Sequence, residues 1–145
     1  MLPLRPLRRP LASAAAVPYA PSTAAPDFAP DLAVVPEDHW ERVALVIATN
    51  PGNPTGTLLS AAFMKAAILR AREHDFTFLS DECYSELYFD TKPLGAMDIC
   101  RDMGGSLDNV WVGNSLSKRS GLPGLRSGFI AGDADRLEDL YYLRA

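Results

Sequence analysis

Cysteine is scarce: Cys83 and Cys100 are the two in 145 residues, and no C-x-x-C spacing joins them. Two thiols cannot build a disulfide framework, so the chain has to hold itself together by burying apolar surface, and a reducing compartment, the cytoplasm, is the expected setting. Histidine is as rare. His39 and His74 stand apart from each other and from any cysteine or carboxylate at ligand spacing, which leaves no candidate metal site. No apolar run approaches the roughly 18 residues that a membrane span needs, so no membrane contact is expected. An excess of positive charge is also missing. Fourteen basic side chains face 18 acidic ones, a net charge of -4, which argues against a nucleic-acid partner. No G-x-G-x-x-G follows an apolar run, so a dinucleotide-binding fold has no support, and internal repeats are absent.

What is present is unevenly spread. Residues 1–26 hold six of the 12 prolines, together with Arg5, Arg8 and Arg9 and no acid. Proline fixes φ and removes a hydrogen-bond donor, so this stretch is expected to be disordered or non-native rather than a regular helix or inner strand. An acid-poor, arginine-bearing start is also the composition of a transit peptide. The length suits about one domain, and a 48% hydrophobic content allows a sizeable core. The expected division is therefore 1–26 and a folded unit over 27–145.

Within that unit the pattern alternates. "VALVIAT" (Val43 to Thr49) is a continuous apolar run, as in a strand buried on both faces. "NPGNPTG" then marks a turn. Ser60 reads as an N-cap, behind which Phe63, Met64, Ala67, Ile68 and Ala71 fall on one helical face, with Lys65, Arg72 and Glu73 elsewhere. "FTFLS" (Phe76 to Ser80), "NVWVG" (Asn109 to Gly113) and "RSGFIAG" (Arg126 to Gly132) read as further strands, and residues 133–145 as a helix. Strand, helix, strand predicts an α/β fold with a mostly parallel sheet flanked by helices. In such sheets ligands bind beyond the carboxyl ends of the strands. Polar clusters fall there: Asn53 after the first strand, Asp81 and Tyr84 after the second, Ser115 and Lys118 after the third.

Each cluster has an ordinary and a chemical reading. Asp81 can cap a turn. A half-buried carboxylate there can also stabilise a cationic ring nitrogen, because the opposite charge offsets desolvation. Tyr84 can pack in a core or present its phenol to a ligand oxygen. Asn53 can brace its own turn or act beside Tyr84. Lys118 is set apart by its loop, "SLSKRSGLPGLRSG" (Ser115 to Gly128), in which Ser115, Ser117, Gly121 and Gly124 keep it near hydroxyls and backbone N–H groups, the donors that an anion takes. Arg126 adds a fork suited to bidentate phosphate binding. A solvated surface lysine is the plain alternative. An amine beside a phosphate seat is instead a nucleophile for a carbonyl. Ser115 and Lys118 also fit the S-x-x-K of penicillin-recognising serine hydrolases. That group needs S-D-N and K-T-G too, whereas Ser80 and Asp81 are followed here by Glu82 and no K-T-G occurs.

Taken in order, "NPGNPTG" (Asn50 to Gly56), "SDECYSELYFD" (Ser80 to Asp90) and "SLSKRSGLPGLRSGFIAGD" (Ser115 to Asp133) resemble the class I and II aminotransferases of the fold-type-I pyridoxal-phosphate superfamily. The wording is most similar to the succinyldiaminopimelate aminotransferase branch, which serves lysine and diaminopimelate synthesis. The resemblance implies pyridoxal 5'-phosphate as cofactor, an amino acid (glutamate) and a keto acid as substrates, and a homodimer. Lys118 matches the lysine that bonds to the cofactor aldehyde and later shuttles a proton. Asp81 matches the partner of the pyridine nitrogen, Asn53 and Tyr84 the donors to the phenolic oxygen, and Ser115 and Arg126 the phosphate ligands. Ser127 departs from the aliphatic residue usual in the family and touches no assigned role.

The resemblance covers residues 27–145, and so implies part of an aminotransferase large domain. The family's glycine-bearing phosphate loop and ring-stacking aromatic are not readable in residues 1–42, and its small domain is not seen after Ala145. A catalytically inactive fragment or interaction module of the same fold is therefore the alternative to an active transaminase.

Overall fold

The structure, a computed structural model, describes residues 28–144, so the expectation for residues 1–26 lies outside the described residues. Four strands, β1 (Leu45–Thr49), β2 (Thr77–Asp81), β3 (Val110–Ser115) and β4 (Gly128–Gly132), form one sheet in that spatial order. The first three run parallel, and the register sets Thr49 beside Asp81 and Asp81 beside Gly113. Three carboxyl ends therefore open on one edge of the sheet. β4 is antiparallel to β3, with Gly128 opposite Ser115.

The connections follow from these directions. Parallel neighbours need a crossover, and α2 (Ala61–Glu73) and α3 (Ala96–Asp102) lie in the two that join β1 to β2 and β2 to β3. The antiparallel step from β3 to β4 is shorter. It holds a four-residue helix, α4 (Leu116–Arg119), and a 3-10 turn at Pro123–Leu125.

α2 starts where the sequence places it: Ser60 Oγ accepts the Phe63 N–H at 3.1 Å. Met64, Ala67, Ile68 and Ala71 are its buried stripe. Side chains alternate along strands, so Ala48, Phe78, Val110 and Val112 share one sheet face, and they form a single core with that stripe and with Ile99 and Cys100 of α3. A short helix, α1 (Glu37–Trp40), adds Trp40, whose ring stacks on Phe76 at 5.6 Å with the Arg70 guanidinium 4.9 Å above it. Arg70 is itself held by both Glu37 oxygens, at 3.0 and 2.8 Å.

α5 (Ala134–Arg144) leaves β4 through Asp133. The Asp133 carboxylate accepts the N–H groups of Asn109 (2.8 Å) and Arg136 (3.2 Å). Arg136, buried, reaches Thr77 Oγ1 at 3.1 Å and Asp75 Oδ1 at 2.5 Å. These bonds stitch α5 to the amino ends of β2 and β3, opposite the open edge.

Several expectations are corrected in detail. β3 runs two residues past Gly113, carrying Asn114 and Ser115 in extended conformation. β4 begins at Gly128 rather than Arg126, because Arg126 is left-handed (φ 48°) and turns the chain before pairing starts. α3 was not expected; seven residues carry too little periodicity to stand out. Among the described residues no helix is long and apolar enough to cross a membrane, and no group of three or more His, Cys, Asp or Glu side chains could hold a metal ion.

Candidate active site

At the open edge lies a cleft of about 330 Å³, lined by Thr49, Asn53, Asp81, Cys83, Tyr84, Ser115, Ser117 and Lys118. Five of the six residues singled out from sequence thus meet in one place. They arrive on three pieces of chain, one beyond the carboxyl end of each parallel strand.

Asp81 ends the middle one of the three parallel strands. Its Oδ1 accepts the Cys83 N–H at 3.1 Å, a local turn bond that limits how far the carboxylate can swing. The chain then turns, with Ser85 N–H donating to Glu82 O at 3.0 Å and Leu87 N–H to Tyr84 O at 2.9 Å. This turn delivers Tyr84 to the cleft.

Asn53 comes on the loop after β1. Gly52 N–H donates to Thr57 O and Gly56 N–H to Gly52 O, both at 2.8 Å, and the Asn50–Pro51 and Asn53–Pro54 peptides are both cis. From this loop Asn53 Nδ2 donates to Tyr84 Oη at 3.3 Å. An amide and a phenol from two separate strand ends therefore form one pair.

Lys118 sits in α4. Its Nζ lies 5.8 Å from the centroid of the Tyr84 ring, within cation–π range. The loop around it is closed at its base, where Leu116 N–H donates to Ser127 O at 3.0 Å. Ser115 caps the helix: its Oγ accepts the Ser117 N–H at 3.1 Å and donates to Ser127 O at 3.4 Å. Arg126 is the residue not brought in. It does not line the cleft, and its Nη1 donates to Pro123 O at 3.3 Å.

Cys83 and Asn50 are at the site without having been singled out for it in the sequence. Cys83 lines the cleft, and burial first, with the adjacent Asp81 carboxylate second, pushes its thiol up to about 11. Asn50 is fully buried under the Asn53 loop. Its place as the asparagine of the first Asn-Pro turn was the one available signal.

The fold and the site together define an α/β protein with a ligand cleft at the carboxyl ends of a parallel sheet, furnished with an amine, a carboxylate and a phenol–amide pair. The chain belongs to the class I and II aminotransferases, whose family model matches residues 11–144. It is 36% identical over 106 residues to the 4-dedimethylamino-4-oxo-anhydrotetracycline transaminase OxyQ of Streptomyces rimosus, covering 72% of this chain and 29% of that protein. It is 33% identical over 116 residues to the LL-diaminopimelate aminotransferase of Oleidesulfovibrio alaskensis, covering 79% and 29%. Among solved structures it is similar to an aminotransferase from Neisseria meningitidis (TM-score 0.77, 43% identity, 83% of this chain and 31% of that one). It is also similar to a probable N-succinyldiaminopimelate aminotransferase from Thermus thermophilus (TM-score 0.74, 27% identity, 82% and 31%). The chain spans 29% of the length of each of the two curated relatives.

Class I and II aminotransferases depend on pyridoxal 5'-phosphate. The cleft presents groups of the kinds that such a molecule would take, namely a primary amine, a carboxylate, an amide–phenol pair and a capping serine hydroxyl.

Proposed function

We propose that this chain is the cofactor-binding part of a pyridoxal-phosphate-dependent transaminase that moves an amino group between an amino acid, with glutamate as donor, and a keto acid. What carries this reading is the convergence of Asn53, Asp81, Tyr84, Ser115 and Lys118 on one cleft. An electrophilic aldehyde and a ring that takes up the electron pair left by a broken Cα–H bond are the chemistry the bound cofactor supplies.

The residues of the chain do the rest. Lys118 Nζ is the attachment point and then carries a proton to and from the substrate Cα. The Asp81 carboxylate keeps a proton on the ring nitrogen. Asn53 Nδ2 and Tyr84 Oη donate to the phenolic oxygen and hold its negative charge. The Ser115 hydroxyl holds the phosphate. Arg126 joins it once its guanidinium leaves Pro123 O. A homodimer is the proposed assembly.

The proposed product of transfer from glutamate, and the amino donor in the reverse direction, is N-succinyl-diaminopimelate, in the synthesis of lysine. Similarity to proteins named for diaminopimelate and N-succinyldiaminopimelate transamination supports it. Pyridoxal 5'-phosphate added to the complete enzyme is expected to give a visible absorbance band and transaminase turnover. Lys118→Ala should lose the band and at least about a hundredfold in kcat. A variant that keeps both removes Lys118 from its role. Amino transfer from N-succinyl-diaminopimelate to 2-oxoglutarate, compared with transfer from LL-diaminopimelate, tests the substrate.

A further inference from the structure

We propose that Asn50 is a positioning residue: its buried carboxamide fixes the loop from Asn50 to Leu59 so that Asn53 meets Tyr84 at the cleft. The proposal rests on the reading that this pair acts on a bound ligand.

Asn50 is 0% exposed and stands where three segments cross. Its Oδ1 accepts the Leu59 N–H at 2.9 Å, closing the loop across its base. Its Nδ2 donates to Leu94 O at 2.8 Å, tying that base to the segment just before α3. Its backbone N–H donates to Asp81 O at 2.9 Å, tying it to the end of β2. The backbone of Asn50 therefore joins the segment that carries Asn53 to the strand from which the Tyr84 turn departs, while its side chain closes the loop base and ties it to the segment before α3.

The loop tip is shaped from within by the Gly52 N–H to Thr57 O and Gly56 N–H to Gly52 O bonds. Asn53, Pro54, Thr55 and Gly56 are all exposed. The Asn53–Tyr84 bond is 3.3 Å long, at the far end of a useful hydrogen bond, so a small drift of the loop breaks it. The placement of Asn53 is then inherited from the base. The chemistry at the base selects asparagine. One partner is an N–H and the other a carbonyl, so the side chain must accept on one side and donate on the other. Aspartate has no donor for Leu94 O, and alanine leaves both backbone groups without a side-chain partner in a buried place.

The test uses the complete enzyme with Asn50→Ala and Asn50→Asp, each alone and combined with Asn53→Ala. Hydrogen exchange of the Leu59 amide, measured without cofactor, is expected to speed up by about tenfold or more in Asn50→Ala, while β2 amides stay protected. Asn50→Asp keeps the acceptor and should leave Leu59 protected. Both variants are expected to lower kcat/KM by about tenfold, and to change it by less than about twofold when Asn53 is already alanine, because a residue that acts through another adds nothing once that partner is gone. Equal losses in both backgrounds overturn the proposal, as does unchanged exchange at Leu59. If neither single variant folds, Asn50 anchors the whole fold, and the specific assignment also falls. A parent enzyme with no turnover would sink the transaminase reading instead, and the exchange measurement would still decide the role of Asn50 in the loop.

Discussion

Cys83 lines the same cleft as Lys118. The thiol sits beside the Asp81 carboxylate and is partly withdrawn from water, and both effects disfavour the thiolate. With the thiol pushed up to about 11, roughly one molecule in a thousand carries a thiolate at pH 8. Iodoacetamide labelling of Cys83, followed by peptide mass spectrometry, should therefore accelerate about tenfold per pH unit from pH 7 to 10. A plateau near pH 9 would show an ordinary thiol. Cys100 is buried under the sheet, where burial raises it too, and digestion at the intervening Asp90 and Asp98 puts the two cysteines on separate peptides. At this scale much of the candidate site was legible, since Asn53, Asp81, Tyr84, Ser115 and Lys118 each fall shortly after the end of an apolar run. Asn50 was not legible as a support, because one of its partners lies 44 residues away at Leu94. Charge and spacing suggest a phosphate-binding fork at Arg126, but its left-handed backbone and its bond to Pro123 O follow from the local turn, which they do not encode.

At the level of elements, β4 is the piece whose geometry departs most from expectation. Its five apolar or small residues announce a strand, but nothing in them announces that it runs against β3. Gly132 is what permits the join. It has φ +142°, and a Cβ there would collide with the Val110 carbonyl. The next residue turns back to the same oxygen, with Asp133 N–H donating to Val110 O at 2.9 Å. Gly132→Ala is therefore expected to destabilise the protein by more than about 2 kcal/mol, through clash and backbone strain together. Thermal melting and soluble yield of the complete enzyme measure it. Gly113→Ala is the control, since its Cβ would meet Leu79 Cδ1 at an ordinary 3.5 Å. Equal melting temperatures for the two variants would refute the argument. α2 was readable for the opposite reason. Thirteen residues with a serine cap and a repeating apolar stripe supply several turns of evidence, whereas α3 and α4 supply two turns and one.

Taken as a whole, the molecule covers one sheet face well and leaves apolar side chains elsewhere in solvent. Ile47 is 59% exposed, Ile130 44% and Phe89 fully so. On the sheet, Ile47 and Ile130 share the face opposite the core, with Leu79 between them. Exposed apolar side chains grouped this way ordinarily find a cover. Together with a span of 29% of the curated relatives, this leads to a prediction. The 145-residue chain assayed by itself should show no glutamate-dependent transamination, whereas the complete enzyme should. Turnover by the isolated chain at a comparable rate would mean that the cleft is sufficient as it stands.

The sheet has one laced end and one working end. Asn109, Asp133, Arg136, Thr77 and Asp75 bind the amino ends of the strands to α5 and lend nothing to the cleft. The residues of the cleft, in turn, all belong to the opposite rim. Engineering for heat tolerance and engineering for substrate range can thus proceed on separate sets of positions, with the length of the strands as insulation between them.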